Sequence, residues 1–283
     1  MSSIPASRSR MDAVDAAVVG FFGLVRDEIR RYAPDGRAAA ELRRYLGPQL
    51  RAGGGLSPLG VAGYAARLRP IVEILLAAAP GLRILDAGSG YGTESLLFAW
   101  LGADVTSVEL VRERHEIAAG RIKNFPCRDG GARSLRIDFV HANILRYLET
   151  SPAFDIIWAM EAISHIYPPQ RFLALARQRL VPGGILAVSD PNRANPVAWL
   201  RAARIRGSFH HEPHTKFRDP ELGTPVEFGQ ELIHSIGAME RLLVRTGFRL
   251  ERSQSAGFLA STLLPRSWRN RGLPAAFASA IQR

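Results

Sequence analysis

Cysteine is almost absent: the 283-residue chain has one, Cys127. An internal disulfide framework and a cysteine-built zinc site are therefore excluded, and a reducing, cytoplasmic setting is the expectation. Cys127 itself stands in the polar stretch Pro126-Cys-Arg-Asp-Gly-Gly and reads as a loop residue. Long apolar runs are missing too. The longest near the start, Ala16–Val25, is too short to span a bilayer. Asp12 and Asp15 precede it, where a signal sequence would carry only positive charge. Lysine is scarce, with Lys123 and Lys216 alone, so arginine carries nearly all of the basic charge behind the net +11. No run of five basic residues occurs, and aromatics do not alternate with the arginines. That pattern argues for a solvated basic surface over a nucleic-acid stacking platform.

What is present suffices for one sizeable core, with or without a small cap: 47% of the residues are hydrophobic and 22% charged. The Ser/Arg-rich residues 1–10 are expected to be unstructured. Residues 11–32 then carry Val14, Val18, Phe21, Phe22, Val25 and Ile29 at helical spacing. Pro34-Asp-Gly-Arg breaks that helix. A short helix over about 38–46, a joint at Gly53-Gly-Gly-Leu-Ser-Pro and a helix over about 59–79 follow.

After Gly81 the rhythm becomes strand–helix alternation. Strands are expected at Leu82–Asp86, Val105–Glu109, Leu135–His141, Phe154–Met160 and Ile185–Ser189, with helices at about 93–101, 111–123 and 169–180. Such alternation predicts a parallel sheet with helices on both faces. Residues 191–230 interrupt it with five prolines and three histidines and read as irregular. A helix over 231–246 and two closing strands, Phe248–Glu251 and Ala256–Ser261, complete the pattern; the tail after Pro265 is basic.

The first strand runs into Asp86-Ala-Gly-Ser-Gly-Tyr-Gly-Thr-Glu. Glycines at 88, 90 and 92 allow positive φ and let the backbone approach a ligand, and the following helix points free N–H groups at it. Glu109, at the end of the second strand, is suited to accept from two ribose hydroxyls. The position after Gly92 is Thr93, so the G-x-x-G spacing of a dinucleotide loop fails. An acid at the loop's start, Asp86, would repel a pyrophosphate but suits an ammonium and a sulfonium.

This stretch, with Glu109, resembles motif I and the following acid of the class I S-adenosylmethionine-dependent methyltransferases. The resemblance extends over about 83–188, through Phe154-Asp-Ile-Ile-Trp-Ala-Met-Glu and Leu180-Val-Pro-Gly-Gly-Ile-Leu. It implies a doubly wound, mostly parallel seven-stranded sheet, the Rossmann-like methyltransferase fold. An N-terminal helical cap (1–80) would precede the S-adenosylmethionine-binding domain (81–264), whose insertion at about 191–230 faces the acceptor, and a basic tail (265–283) would follow. It further implies that the loop lines the methionine part of S-adenosylmethionine through Gly88, Ser89, Gly90 and Gly92, with Asp86 orienting it. Glu109 would hold the ribose. Asn143 stands where the family often has an Asp for the adenine amino group, and either bonds it or caps a helix. Ala87, Leu110 and Ile144 complete the cofactor-binding set. Glu161, past the fourth strand, either faces the methyl-transfer zone or lies at the surface.

Methyl transfer needs an acceptor held in line and a base if that acceptor is a hydroxyl. His165, four positions after Glu161, is the first candidate base, with Glu161 beside it if the segment is helical. His210, His211 and His214 are candidates for binding the acceptor. Pro213 stands between His210 and His214, so no metal site is expected there. Base-amine methyltransferases of nucleic acids resemble one another in an Asn/Asp-Pro-Pro-aromatic motif after the fourth strand, where this chain has Ala159-Met-Glu-Ala. The expectation is methylation of an apolar small molecule, on oxygen first and on carbon or nitrogen as alternatives, by a protein without a transmembrane segment that could be a homodimer. An RNA-directed enzyme and a non-catalytic cofactor-binding assembly protein are the competing readings.

Overall fold

In a computed structural model of the chain the described residues are 6–32, 36–50, 55–126, 135–207, 215–218, 223, 225–229 and 231–255. Three helices come first: α1 (Ala6–Arg31), α2 (Arg37–Tyr45) and α3 (Pro58–Ala77). α1 begins at Ala6, so the unstructured start expected up to residue 10 is corrected for 6–10. Its stripe of Val14, Val18, Phe21, Phe22, Val25 and Ile29 is buried throughout, which is why the helix persists. α3 starts where Ser57 caps it, its hydroxyl accepting from Gly60 N at 3.3 Å, with Pro58 in the first turn.

The alternation then appears as expected. The order is β1 (Arg83–Ala87), α4 (Thr93–Trp100), β2 (Asp104–Glu109), α5 (Arg112–Arg121), β3 (Ile137–His141), α6 (Ile144–Thr150), β4 (Phe154–Met160), α7 (Pro169–Arg179) and β5 (Leu180–Ser189). These strands form one parallel sheet in the order β3-β2-β1-β4-β5. The reversal between β1 and β4 opens a crevice at their carboxyl ends, the place where such sheets bind ligands.

Period-two side-chain alternation feeds two cores. Ile84, Ile156, Trp158 and Met160 face α1, α3 and α4, while Leu85, Ala87, Ile157 and Ala159 face α6 and α7. The N-terminal helices share the first core with the sheet.

Three expectations change. The parallel sheet has five strands among the described residues, where seven were expected. Residues 248–251 carry no strand, and 256–261 lie outside the described residues. β5 begins at Leu180, through Pro182-Gly-Gly, pairing Leu180 with Phe154 before a register shift. The segment 191–230 is not wholly irregular. It holds α8 (Pro196–Arg206) and an antiparallel ribbon of β6 (Thr215–Arg218) and β7 (Pro225–Phe228), ahead of α9 (Ile236–Arg245). No described helix is long and apolar enough to cross a membrane.

Candidate active site

The glycine loop leaves β1 at the crevice. The N–H groups of Gly88 and Ser89 both donate to Val108 O, at 2.9 and 3.0 Å, and Ser107 Oγ donates to Ser89 Oγ at 2.8 Å. Gly88, Gly90 and Gly92 have φ of 75°, 55° and 69°. The three glycines differ in what surrounds them. A Cβ on Gly88 or Gly92 would stand 3.0 Å from the Cβ of Ala162 or Ala118, whereas one on Gly90 would meet nothing within 4 Å. Gly88 and Gly92 therefore serve packing, and Gly90 faces open space.

Glu109 stands beside that space, buried at 5% exposure. Its Oε2 accepts from Gly90 N and its Oε1 from Val111 N, both at 2.8 Å. Two backbone donors fix the carboxylate, and its remaining lone pairs are free to accept two hydroxyls. Leu110 follows, its carbonyl bonded to His141 Nε2 at 2.9 Å. Asn143 caps α6, its Oδ1 accepting from Leu145 N at 2.8 Å. Ile144 is buried in the second core, and Ala87 is fully buried at the end of β1.

Asp86 lies under the loop rather than on its open side. It is 2% exposed, and its Oδ2 accepts from Ser95 Oγ at 2.6 Å. Burial, and then the neighbouring Glu94 carboxylate, push its carboxyl up to about 8. Glu94 is itself buried and raised, and takes the Tyr64 hydroxyl. Two acids held toward neutrality at one place form an environment that a positively charged ligand would stabilise.

Next to them Arg67, on α3, spans to Glu161, with Nη1 2.8 Å from Oε1. Its guanidinium also stacks 5.4 Å from the Tyr64 ring. Tyr45 is pushed well above its ordinary value by desolvation and then by the charges of Glu94 and Glu161. The residue as a whole is 39% exposed, so the desolvation is of its hydroxyl and not of the entire side chain. Arg67, Tyr64, Glu94 and Tyr45 escaped the sequence reading. The signal available was Tyr64 and Arg67 three apart on one helical face.

Glu161 terminates β4 with φ of 50°, in the left-handed region, while its N–H donates to Ser189 O at 2.7 Å. Such backbone costs about 1–3 kcal/mol in a non-glycine residue and clusters at working sites. The helical turn expected from Glu161 to His165 is corrected: a short 3-10 turn, Ile163–His165, follows instead. The two side chains part company. Glu161 turns to Arg67. His165 stacks on Phe228 at 5.0 Å, with Nδ1 3.1 Å from Gly229 O and Nε2 3.7 Å from Glu231 Oε1. A carbonyl only accepts, so Nδ1 is the donor to Gly229 and Nε2 is the nitrogen left toward the Glu231 carboxylate.

The ribbon is drawn onto the same turn. Ile166 bridges Phe228, and Gly229 N donates to His165 O at 2.8 Å. A Cβ on Gly229 would meet Ser164 O at 2.6 Å, so glycine is required there. Asp190, one residue past β5, accepts from Ser164 Oγ at 3.2 Å, and its Oδ2 is buried without a partner. Desolvation raises its carboxyl to about 7. His210, His211 and His214 lie outside the described residues, as does Cys127. Among the described residues no group of three or more His, Cys, Asp or Glu is placed to hold a metal ion.

A family model described as "Methyltransferase domain" matches residues 29–252. The chain is similar to the ubiquinone biosynthesis O-methyltransferase of Roseobacter denitrificans, 32% identical over 130 residues. That match spans 46% of this chain and 48% of the relative, about half the relative's length. It is also similar to the protein of the same name from Xanthomonas campestris, 27% identical over 66% of this chain and 78% of that one. Among solved structures, an S-adenosylmethionine-dependent methyltransferase from Geobacter sulfurreducens in complex with S-adenosyl-L-homocysteine is 19% identical. It aligns with 64% of this chain and 63% of its own, at a TM-score of 0.43.

Proposed function

The chain belongs to the methyltransferase-domain family, the class I S-adenosylmethionine-dependent methyltransferases, and from that premise we propose that it methylates an oxygen atom of an apolar small molecule. The observation that carries the reading is Gly90, whose missing side chain faces open space beside the fixed carboxylate of Glu109. That pair gives a backbone surface for close ligand approach and an acceptor for ribose hydroxyls. Oxygen as the accepting atom is supported by the relatives, which are named O-methyltransferases of ubiquinone biosynthesis.

When bound, S-adenosylmethionine supplies a methyl group made electrophilic by its sulfonium sulfur. The residues that would hold it are Gly88, Ser89, Gly90 and Glu109 on one side and Arg67, whose charge acts on Glu94, on the other. Asn143, with Leu110 and Ile144, borders the site where the adenine would lie. Glu161 or His165 would take the proton that the acceptor hydroxyl gives up as its oxygen gains the methyl. For His165 the receiving atom is Nε2, since Nδ1 is engaged by Gly229. Orienting the acceptor and excluding water supply much of the remaining rate.

The helices of 1–80 serve in this reading as the wall and cap over the cofactor, because Tyr64, Arg67 and Tyr45 come from them. The insertion at 191–230 lines the acceptor side, because its ribbon is bonded to the turn carrying His165. The outer edge of β5 is unpaired among the described residues, and further strands of a seven-stranded sheet would add at that edge. Transfer of a labelled methyl group from S-adenosylmethionine into a metabolite extract, with the product identified by mass, tests the proposal. An O-methylated apolar product is expected; label in protein or RNA only would defeat it.

A further inference from the structure

The glycine loop is held by more than its own strand and helix. Arg121 in the last turn of α5 and Glu28 near the end of α1 are both fully buried, at 0% exposure of each side chain. Arg121 Nε donates to Glu28 Oε1 and Nη2 to Glu28 Oε2, each at 2.9 Å. The remaining nitrogen, Nη1, donates to the Tyr91 carbonyl at 2.6 Å and to Thr93 Oγ1 at 2.8 Å. Those two residues flank Gly92. One guanidinium therefore spans from the N-terminal helix to both sides of the loop's last glycine.

The peptide joining Tyr91 to Gly92 is fixed at both ends. Its oxygen is on Arg121, and its N–H donates to Ser89 O at 2.9 Å. Thr93 begins α4, so the same fork sets where the helix starts relative to Gly90. Glu28 is steadied in turn: the Tyr32 hydroxyl donates to its Oε1 at 3.3 Å, and Asn124 Nδ2 donates to that hydroxyl at 3.2 Å.

Stability alone does not account for this pair. Two charges taken out of water are costly, and well-packed apolar residues in their place are often neutral or better for the fold. What apolar residues cannot do is present donors in a rigid fork to two acceptors of a loop. We infer that Arg121 and Glu28 are positioning residues for the cofactor: Arg121 sets the Tyr91–Thr93 backbone, and Glu28 holds Arg121 in place. Cofactor affinity then depends on the docking of α1, although α1 is not part of the glycine loop. The inference rests on the reading of that loop as the S-adenosylmethionine site.

The test compares the full-length wild type with Glu28→Gln and the double variant Glu28→Met/Arg121→Met, by S-adenosylmethionine titration and thermal melting. The double variant removes both charges and the ties to the loop together. It is expected to fold and melt close to wild type, yet to bind at least about tenfold more weakly. Glu28→Gln, which loosens the fork without removing it, is expected to fall between. A folded double variant with wild-type affinity overturns the inference. A double variant that does not fold also overturns it, because the pair would then be a requirement of the fold. Wild type that fails to bind S-adenosylmethionine defeats the reading of the site itself, a separate outcome.

Discussion

Gly90→Ala and Gly92→Ala are expected to fail in different ways. Both positions have left-handed backbone, φ of 55° and 69°. An alanine in that conformation costs about 1–2 kcal/mol. At Gly92 the new methyl also lands 3.0 Å from Ala118 Cβ and 3.4 Å from Phe139 Cε1, inside a packed core. Overpacking of that kind adds about 1–3 kcal/mol. At Gly90 the methyl meets no atom within 4 Å, so the fold loses only the backbone strain. In a protein of this size about 1 kcal/mol moves Tm by about 2–4 °C. Gly90→Ala should thus melt only a few degrees below wild type, and Gly92→Ala distinctly lower. Ligand binding should reverse that order of damage at Gly90. A methyl placed where the cofactor's surface lies would cost about 1–3 kcal/mol of affinity, about five- to 150-fold. Differential scanning calorimetry with S-adenosylmethionine titration on both variants reads the two quantities separately. A Gly90→Ala protein that binds with wild-type affinity would refute the assignment of that open space to the ligand.

Asp190 gives a pH-dependent prediction. Burial raises its carboxyl from 3.8 to about 7, so the native state holds the proton more tightly than the unfolded chain. Stability contributed by that protonated group is present below about pH 4 and is lost as pH climbs to about 7, by at most about 4 kcal/mol. Asp190→Asn keeps a carbonyl for Ser164 Oγ and removes the ionisation; it should melt higher than wild type at pH 8 and nearly equally at pH 4. Equal or lower melting at pH 8 would contradict the burial argument. Glu161→Gln retains an oxygen for Arg67 but no base. If Glu161 accepts the acceptor's proton, kcat falls about 10²–10⁴-fold with cofactor affinity unchanged. The same assay on His165→Gln decides between the two candidates, and full activity in both variants would exclude them as the base.

The parts of this molecule legible in the sequence are those written locally. β1 and β4 read as short apolar strands because both faces of the parallel sheet are covered, and the glycine loop showed through spacing alone. Seven-residue α6 was invisible, since Ile144–Thr150 is too short for a helical period to emerge. α8 was overlooked although its start was written plainly. Asn195 caps it, with Oδ1 accepting from Val197 N at 3.0 Å, and Pro196 sits in the first turn, where proline favours a helix. The spacing of Glu161 and His165 misled, because the left-handed residue at 161 ends the strand without starting a helix. The contacts that build the rest of the site join residues distant in the chain: Tyr64 with Glu94, Arg67 with Glu161, Glu28 with Arg121. Pairs separated by 30, 94 and 93 positions leave no periodic trace. They become visible only when the sheet brings α1, α3, α4 and α5 together.

The central claim is that the loop from Asp86 to Gly92, with Glu109, holds S-adenosylmethionine. Isothermal titration of the wild type and of Glu109→Ala with that cofactor tests it most directly. Saturable one-to-one binding by wild type is predicted, weakened at least about tenfold in a folded Glu109→Ala protein. Absence of binding by wild type, or equal binding by both proteins, would contradict it.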